Sequence, residues 1–134
     1  MLDDQGIAAG AAFVFAITTA SVIAFQVALA LGASWGAYAM GGAFPGTYPP
    51  LMRLSALAQA ALLVLMALVV LSRAGLISQQ WRDASRWLVW VVVVFSAVAI
   101  SLNLVTPSAG ERRIWAPVSV VLLVCSLTVA LAAR

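Results

Sequence analysis

Hydrophobic and polar positions divide this chain into four long apolar runs with short breaks between them. Residues 7–31, 51–71, 87–105 and 114–132 are apolar almost throughout. A helix rises about 1.5 Å per residue, so about 20 residues cross the ~30 Å hydrocarbon layer of a bilayer. None of the runs alternates with the period of two that a barrel strand needs. Inside lipid the backbone has to satisfy its own hydrogen bonds, which makes each run a helix. The pattern predicts an all-α fold: a four-helix transmembrane bundle, one domain over residues 1–134, with a long Gly/aromatic loop between helices 1 and 2.

The breaks carry their own punctuation. Pro49 and Pro50 stand before the second run, where a missing N–H is tolerated. Gly75 follows that run as a C-cap, and Pro107 follows the third, holding Thr106 extended. Trp35, Trp87, Trp90 and Trp115 fall near run ends, where amphipathic rings favour the headgroup layer. Residues 76–86 read either as a short interfacial helix or as a solvated loop. Ala28-Leu29-Ala30 has the look of a cleavage site, but Asp3 and Asp4 replace the positive charge of a signal peptide and the apolar stretch is too long. The first run is therefore expected to stay as a span.

Composition agrees with the pattern. The sequence is 65% hydrophobic and 8% charged, against about 25% charged in soluble domains. A chain this short could not hide so much apolar surface from water. The lipid bilayer is the expected partner, with a second copy of the chain or another membrane protein as further candidates. The net charge of +3 is too small and dispersed for nucleic acid. Cys125 is the one cysteine and histidine is absent, which excludes an intramolecular disulfide, CxxC motifs and multi-Cys metal sites, and removes the commonest metal ligand and general base. No cofactor, metal or catalytic group is expected.

Four spans put both termini at one end of the bundle, here the termini end, with Arg73, Arg82, Arg86 and Arg134. The opposite end, the loop end, holds Arg53, Arg112 and Arg113. The positive-inside rule tilts the termini toward the cytoplasm of an inner (plasma) membrane. So even a balance also permits insertion both ways.

Buried polarity gathers at the loop end. Gln26 lies about 7 Å and Gln59 about 12 Å below their helix ends. Arg53, Ser55, Ser101, Asn103, Ser119 and a short turn of Glu111, Arg112 and Arg113 complete the set. Polar groups inside a membrane turn toward the bundle and mark functional positions. Gln59 needs a partner such as Gln26 or Asn103, and the group serves either as interhelical glue or as a ligand-facing pocket. Arg53 and Glu111 could pair, Arg112 or Arg113 could serve Glu111 instead, or all four could be solvated. The uncharged loop 32–50, with five glycines beside Trp35, Tyr38, Phe44 and Tyr48, either caps the bundle or lies as a pad on the bilayer. The candidate ligand-binding residues are Gln26, Trp35, Tyr38, Arg53, Gln59, Asn103, Glu111, Arg112 and Trp115.

Gly6 and Gly10 match GxxxG, which suits close packing to another span or to a second protomer. Phosphate loops, HExxH and paired intramembrane carboxylates are missing. None of the apolar runs holds an acid, so a proton-driven pump is disfavoured. Gly32-Ala33-Ser34-Trp35-Gly36, Gly41-Gly42, Pro50, Arg53, Asn103 and Glu111-Arg112-Arg113-Ile114-Trp115-Ala116-Pro117 resemble small four-span bacterial membrane proteins of unassigned function. The resemblance implies a location and a fold but no activity. Small multidrug transporters have an acid in the first span and vitamin K epoxide reductases need cysteines, so neither is similar. The expected function is binding or passage of a neutral or amphipathic ligand at a polar cavity on the loop end. The alternative is a structural or accessory subunit on another membrane protein, and an enzyme ranks last.

Overall fold

A computed structural model describes residues 3–77 and 79–133. Four helices make up the bundle: α1 (Asp4–Ala30), α2 (Pro50–Arg73), α3 (Arg82–Val105) and α4 (Ala109–Ala132). All four are long and apolar enough to cross a membrane. The protein is thus a multi-pass membrane protein with an all-α bundle. A helix of 24 residues, such as α2, α3 or α4, is about 36 Å long and overreaches the hydrocarbon layer.

Local chemistry sets the helix limits. The Asp3 carboxylate accepts the Gly6 N–H at 2.7 Å and caps α1. Pro49 and Pro50 open α2. α1 and α2 end in the same way. Gly32 (φ 106) and Gly75 (φ 77) take the left-handed conformation that a Cβ resists. Gly32 N–H donates to Leu29 O and Ala33 N–H to Ala28 O, and Gly75 and Leu76 repeat the pattern on Ser72 and Leu71.

Two expectations change here. No separate interfacial helix forms over the described part of 76–86: a single 3₁₀ turn, Gln79–Trp81, runs straight into α3 at Arg82; Ser78 lies outside the described residues. Glu111, Arg112 and Arg113 are likewise not a turn but the first turns of α4. Apolarity marks the part of a helix that lies in lipid, whereas backbone hydrogen bonding continues into the polar headgroup layer. Asp83 and Glu111 sit in the first turns of α3 and α4, where the helix dipole favours acids.

α1 packs against α2 and α4, and α3 against α4 and α2, with the α2–α3 seam the thinnest of the lateral contacts. The main core includes Ala8, Ala12, Phe15, Leu63, Met66, Val70, Val89, Val92, Leu122 and Val129. The inward stripe of α1 therefore runs through Ala8, Ala12, Phe15 and Thr19. The GxxxG glycines do not share it, and Gly10 is exposed with nothing within 4 Å of a built Cβ. A smaller core of Leu29, Tyr48 and Ala56 lies at the loop end. Large apolar side chains cover the outside, as a lipid solvent requires.

Candidate functional site

A cavity of about 520 Å³ lies between the two cores and is lined by all four helices. It runs from Gly41 and Glu111 at the loop end to Met66, Ser96 and Leu122, about 16 Å along α4. Its lining includes Leu62 on α2 and Phe95 and Leu102 on α3, which are 41%, 43% and 61% exposed. The cavity therefore communicates with the lipid-facing surface at the thin α2–α3 seam.

Polar pairs stand on opposite walls. Gln26 Nε2 donates to Gln59 Oε1 at 3.0 Å across α1–α2, and Gln59 Nε2 donates to Ser55 Oγ at 3.4 Å. Asn103 Nδ2 donates to Ser119 Oγ at 2.6 Å and to Trp115 O at 3.3 Å across α3–α4. These amides join helices and line the cavity at once. Ser96 Oγ, deeper on the wall, is buried without a hydrogen-bond partner among the described residues. Ser126 and Thr128 bond back to Leu123 O and Val124 O and stay out of the cavity.

The loop closes the end. Gly36 N–H donates to Gly46 O at 2.9 Å and ties the loop to itself. Trp115 Nε1 donates to Tyr38 O at 2.7 Å, and Ser108 Oγ donates to Ala37 O at 2.8 Å. Gly110 gives the Tyr38 ring its seat: a Cβ there would stand 2.5 Å from Tyr38 Cε1. Phe25 stacks on Trp35 at 6.1 Å and meets Trp115 edge-on at 4.7 Å. The loop is thus docked on the first turns of α4.

Glu111 is 8% exposed. Its Oε2 accepts the Gly41 N–H at 2.8 Å. Ser108 and Glu111 have the spacing of a capping box, yet only half of one forms. Ser108 Oγ accepts the Glu111 N–H at 3.2 Å, while Ser108 N–H turns to Thr106 Oγ1 at 3.3 Å and leaves the carboxylate to the loop. The pairing of Arg53 with Glu111 is not made. Arg53 Nε donates to Tyr48 O at 2.9 Å and its guanidinium lies against Gly32. Arg112 Nη2 donates to Thr106 O at 2.8 Å, so it does not serve Glu111 either. In each case an unsatisfied helix-end or loop carbonyl lies nearer than the acid. The Tyr48 hydroxyl is pushed up from its ordinary pKa by burial and then by the Glu111 charge.

Of the sequence-derived candidates, Gln26, Gln59, Asn103, Glu111 and Trp115 line the cavity. Trp35, Tyr38, Arg53 and Arg112 do not; they hold the loop and the helix ends around it. Phe25, Ser96 and Thr106 line it and were missed. Ser96 was legible as the one hydroxyl in the middle of the third apolar run, but Phe25 gave no signal that distinguished it from a lipid-facing ring. Among the described residues no group of three His, Cys, Asp or Glu side chains converges. The chain matches no protein-family model, no curated protein and no solved structure.

Proposed function

We propose that the protein binds an amphipathic ligand in the cavity at the loop end, reached sideways from the bilayer between α2 and α3. The observation that carries this reading is a cavity with polar amides on two walls and lipid-exposed apolar residues at its side opening. An amphipath leaves its tail along Leu62, Phe95 and Leu102 and offers its polar end to Gln26, Gln59, Asn103 and Glu111. The walls are preformed, so little ordering is needed on binding. Native mass spectrometry after gentle extraction tests it. A discrete small-molecule adduct is expected on the wild-type chain, and Ala99→Phe, which fills the cavity wall, is expected to remove it. An adduct equally abundant on Ala99→Phe, or none on the wild type, defeats the reading. The alternative of an accessory subunit draws support from the open face of α1 at Gly10, and the same spectra would display a bound partner or a second copy.

We further propose an inner (plasma) membrane location with both termini in the cytoplasm, supported by the charge bias of the termini end. Cys125 is buried, so introduced cysteines can be read over a low background. An Ala43→Cys variant is expected to react with a membrane-impermeant maleimide in intact cells, and Asp83→Cys only after lysis. Reaction of both in intact cells indicates insertion in two orientations.

A further inference from the structure

Glu111 presents an unusual electrostatic situation. The residue as a whole is 8% exposed and lines the cavity. One oxygen takes the Gly41 N–H, and the other accepts no hydrogen bond from the described residues. The three arginines of the loop end are turned elsewhere. Arg53 serves Tyr48 O, Arg112 serves Thr106 O, and Arg113 is exposed. Among the described residues no arginine lines the cavity.

A carboxylate drawn away from water gains from a counter-charge. The α4 N-terminus and one loop N–H supply part of this, since a helix end carries only about half an elementary charge. The remaining negative potential faces the cavity. The chain also forgoes the ordinary use of this acid, closing the capping box on Ser108 N–H, and holds it toward the loop instead. Trp115 lies one turn further on the same face of α4 and also lines the cavity. An aromatic ring beside an acid is the setting that attracts organic cations. A bare metal ion fits poorly, because hard cations need several oxygen ligands and only one carboxylate lines the cavity among the described residues.

We infer that the ligand of this cavity is an amphipathic organic cation, its charged head held by Glu111 beside Trp115 and its apolar body lying toward Phe95 and Leu122. The inference rests on the ligand cavity proposed above and adds the sign of the head. Free lipophilic cations and amine-headed lipids share this chemistry.

The test compares methyltriphenylphosphonium with the similarly shaped, uncharged triphenylphosphine oxide, by isothermal titration of the full chain in dodecyl maltoside. The wild type is expected to bind the cation about tenfold more tightly than the neutral compound, the scale of one charge-assisted contact. Glu111→Gln, which keeps an acceptor for Gly41 N–H, is expected to bind both alike. Equal binding by the wild type overturns the charge assignment and leaves the cavity reading standing. A preference that survives in Glu111→Gln overturns the role of Glu111. Binding of neither compound defeats the cavity reading and this inference together. The wild-type comparison needs no folded variant. Short-chain phosphatidylethanolamine added as competitor then separates the sources: displacement of the phosphonium assigns the site to an aminolipid, and no displacement assigns it to a free cation.

Discussion

Replacing Gly36 with alanine is expected to destabilise the protein by about 3 kcal/mol, the upper range of overpacking effects. Gly36 is buried within the loop, and its N–H donates to Gly46 O at 2.9 Å. A Cβ at this position would run into the Phe44 carbonyl oxygen and stand 2.7 Å from Gly46 O. Both obstacles are backbone, so neither can swing aside as a side chain would. The loop has to open, and the contacts that dock it on α4 go with it: Tyr38 on Gly110, Ala37 on Ser108 and Gly41 on Glu111. Thermal unfolding in detergent, followed by circular dichroism, reads the change. Gly46→Ala is the control. A Cβ there meets nothing within 4 Å, but φ is 81°, so alanine is expected to lose only about 1 kcal/mol to left-handed strain. If the two variants melt alike, the close approach at Gly36 is not what holds the loop.

Phe15→Ala is expected to be as damaging or more so, at about 3–5 kcal/mol, while Phe13→Ala should stay within about 0.5 kcal/mol of wild type. The two rings are neighbours in sequence on α1 but meet different surroundings. Phe15 is 0% exposed in the main core with Leu63, Met66 and Leu122, whereas Phe13 is 61% exposed. In a membrane the outward ring sits among lipid tails in both the packed and the dissociated bundle, so its truncation changes little. The inward ring leaves a void that no tail can follow, and dispersion contacts are lost outright. Equal losses from the two substitutions would show that α1 is rotated so that Phe15 does not face the core.

The four spans were legible because lipid imposes a length and an apolarity that any sequence must meet. Helix ends were less so. Arg82 to Arg86 and Glu111 to Arg113 are charged yet helical, because the helix outlasts the hydrocarbon and hydropathy does not follow it there. Gly75 announced the end of α2, and Gly32 ended α1 by the same hydrogen bonds without being singled out. Gln59 was expected to need a partner such as Gln26 or Asn103; the structure gives it Gln26, while Asn103 turns to Ser119. Arg53 and Glu111 were the opposite case. Opposite charges at one end of the bundle invited a pair, but each had a backbone partner closer to hand, Tyr48 O for the arginine and Gly41 N–H for the acid.

The sequence alone therefore determined the solvent and the number of spans, because both depend on residue type and on distance along one chain. It did not determine where polarity is buried, since Ser72, Arg73 and Ser85 are buried toward the termini end as Thr106, Glu111 and Ser119 are at the loop end. Only the tertiary structure decided which polar residues share a space. Gln26, Gln59, Asn103 and Glu111 come from four different helices, and their meeting depends on helix rotation, on the thin α2–α3 seam and on a loop docked through Tyr38 and Gly41. Those features arise from packing between distant segments, which no local pattern records. Glu111 is the clearest instance: it is one charge among several at the loop end in the sequence, and becomes the cavity's own charge only because Arg53 and Arg112 face other partners and Arg113 is exposed.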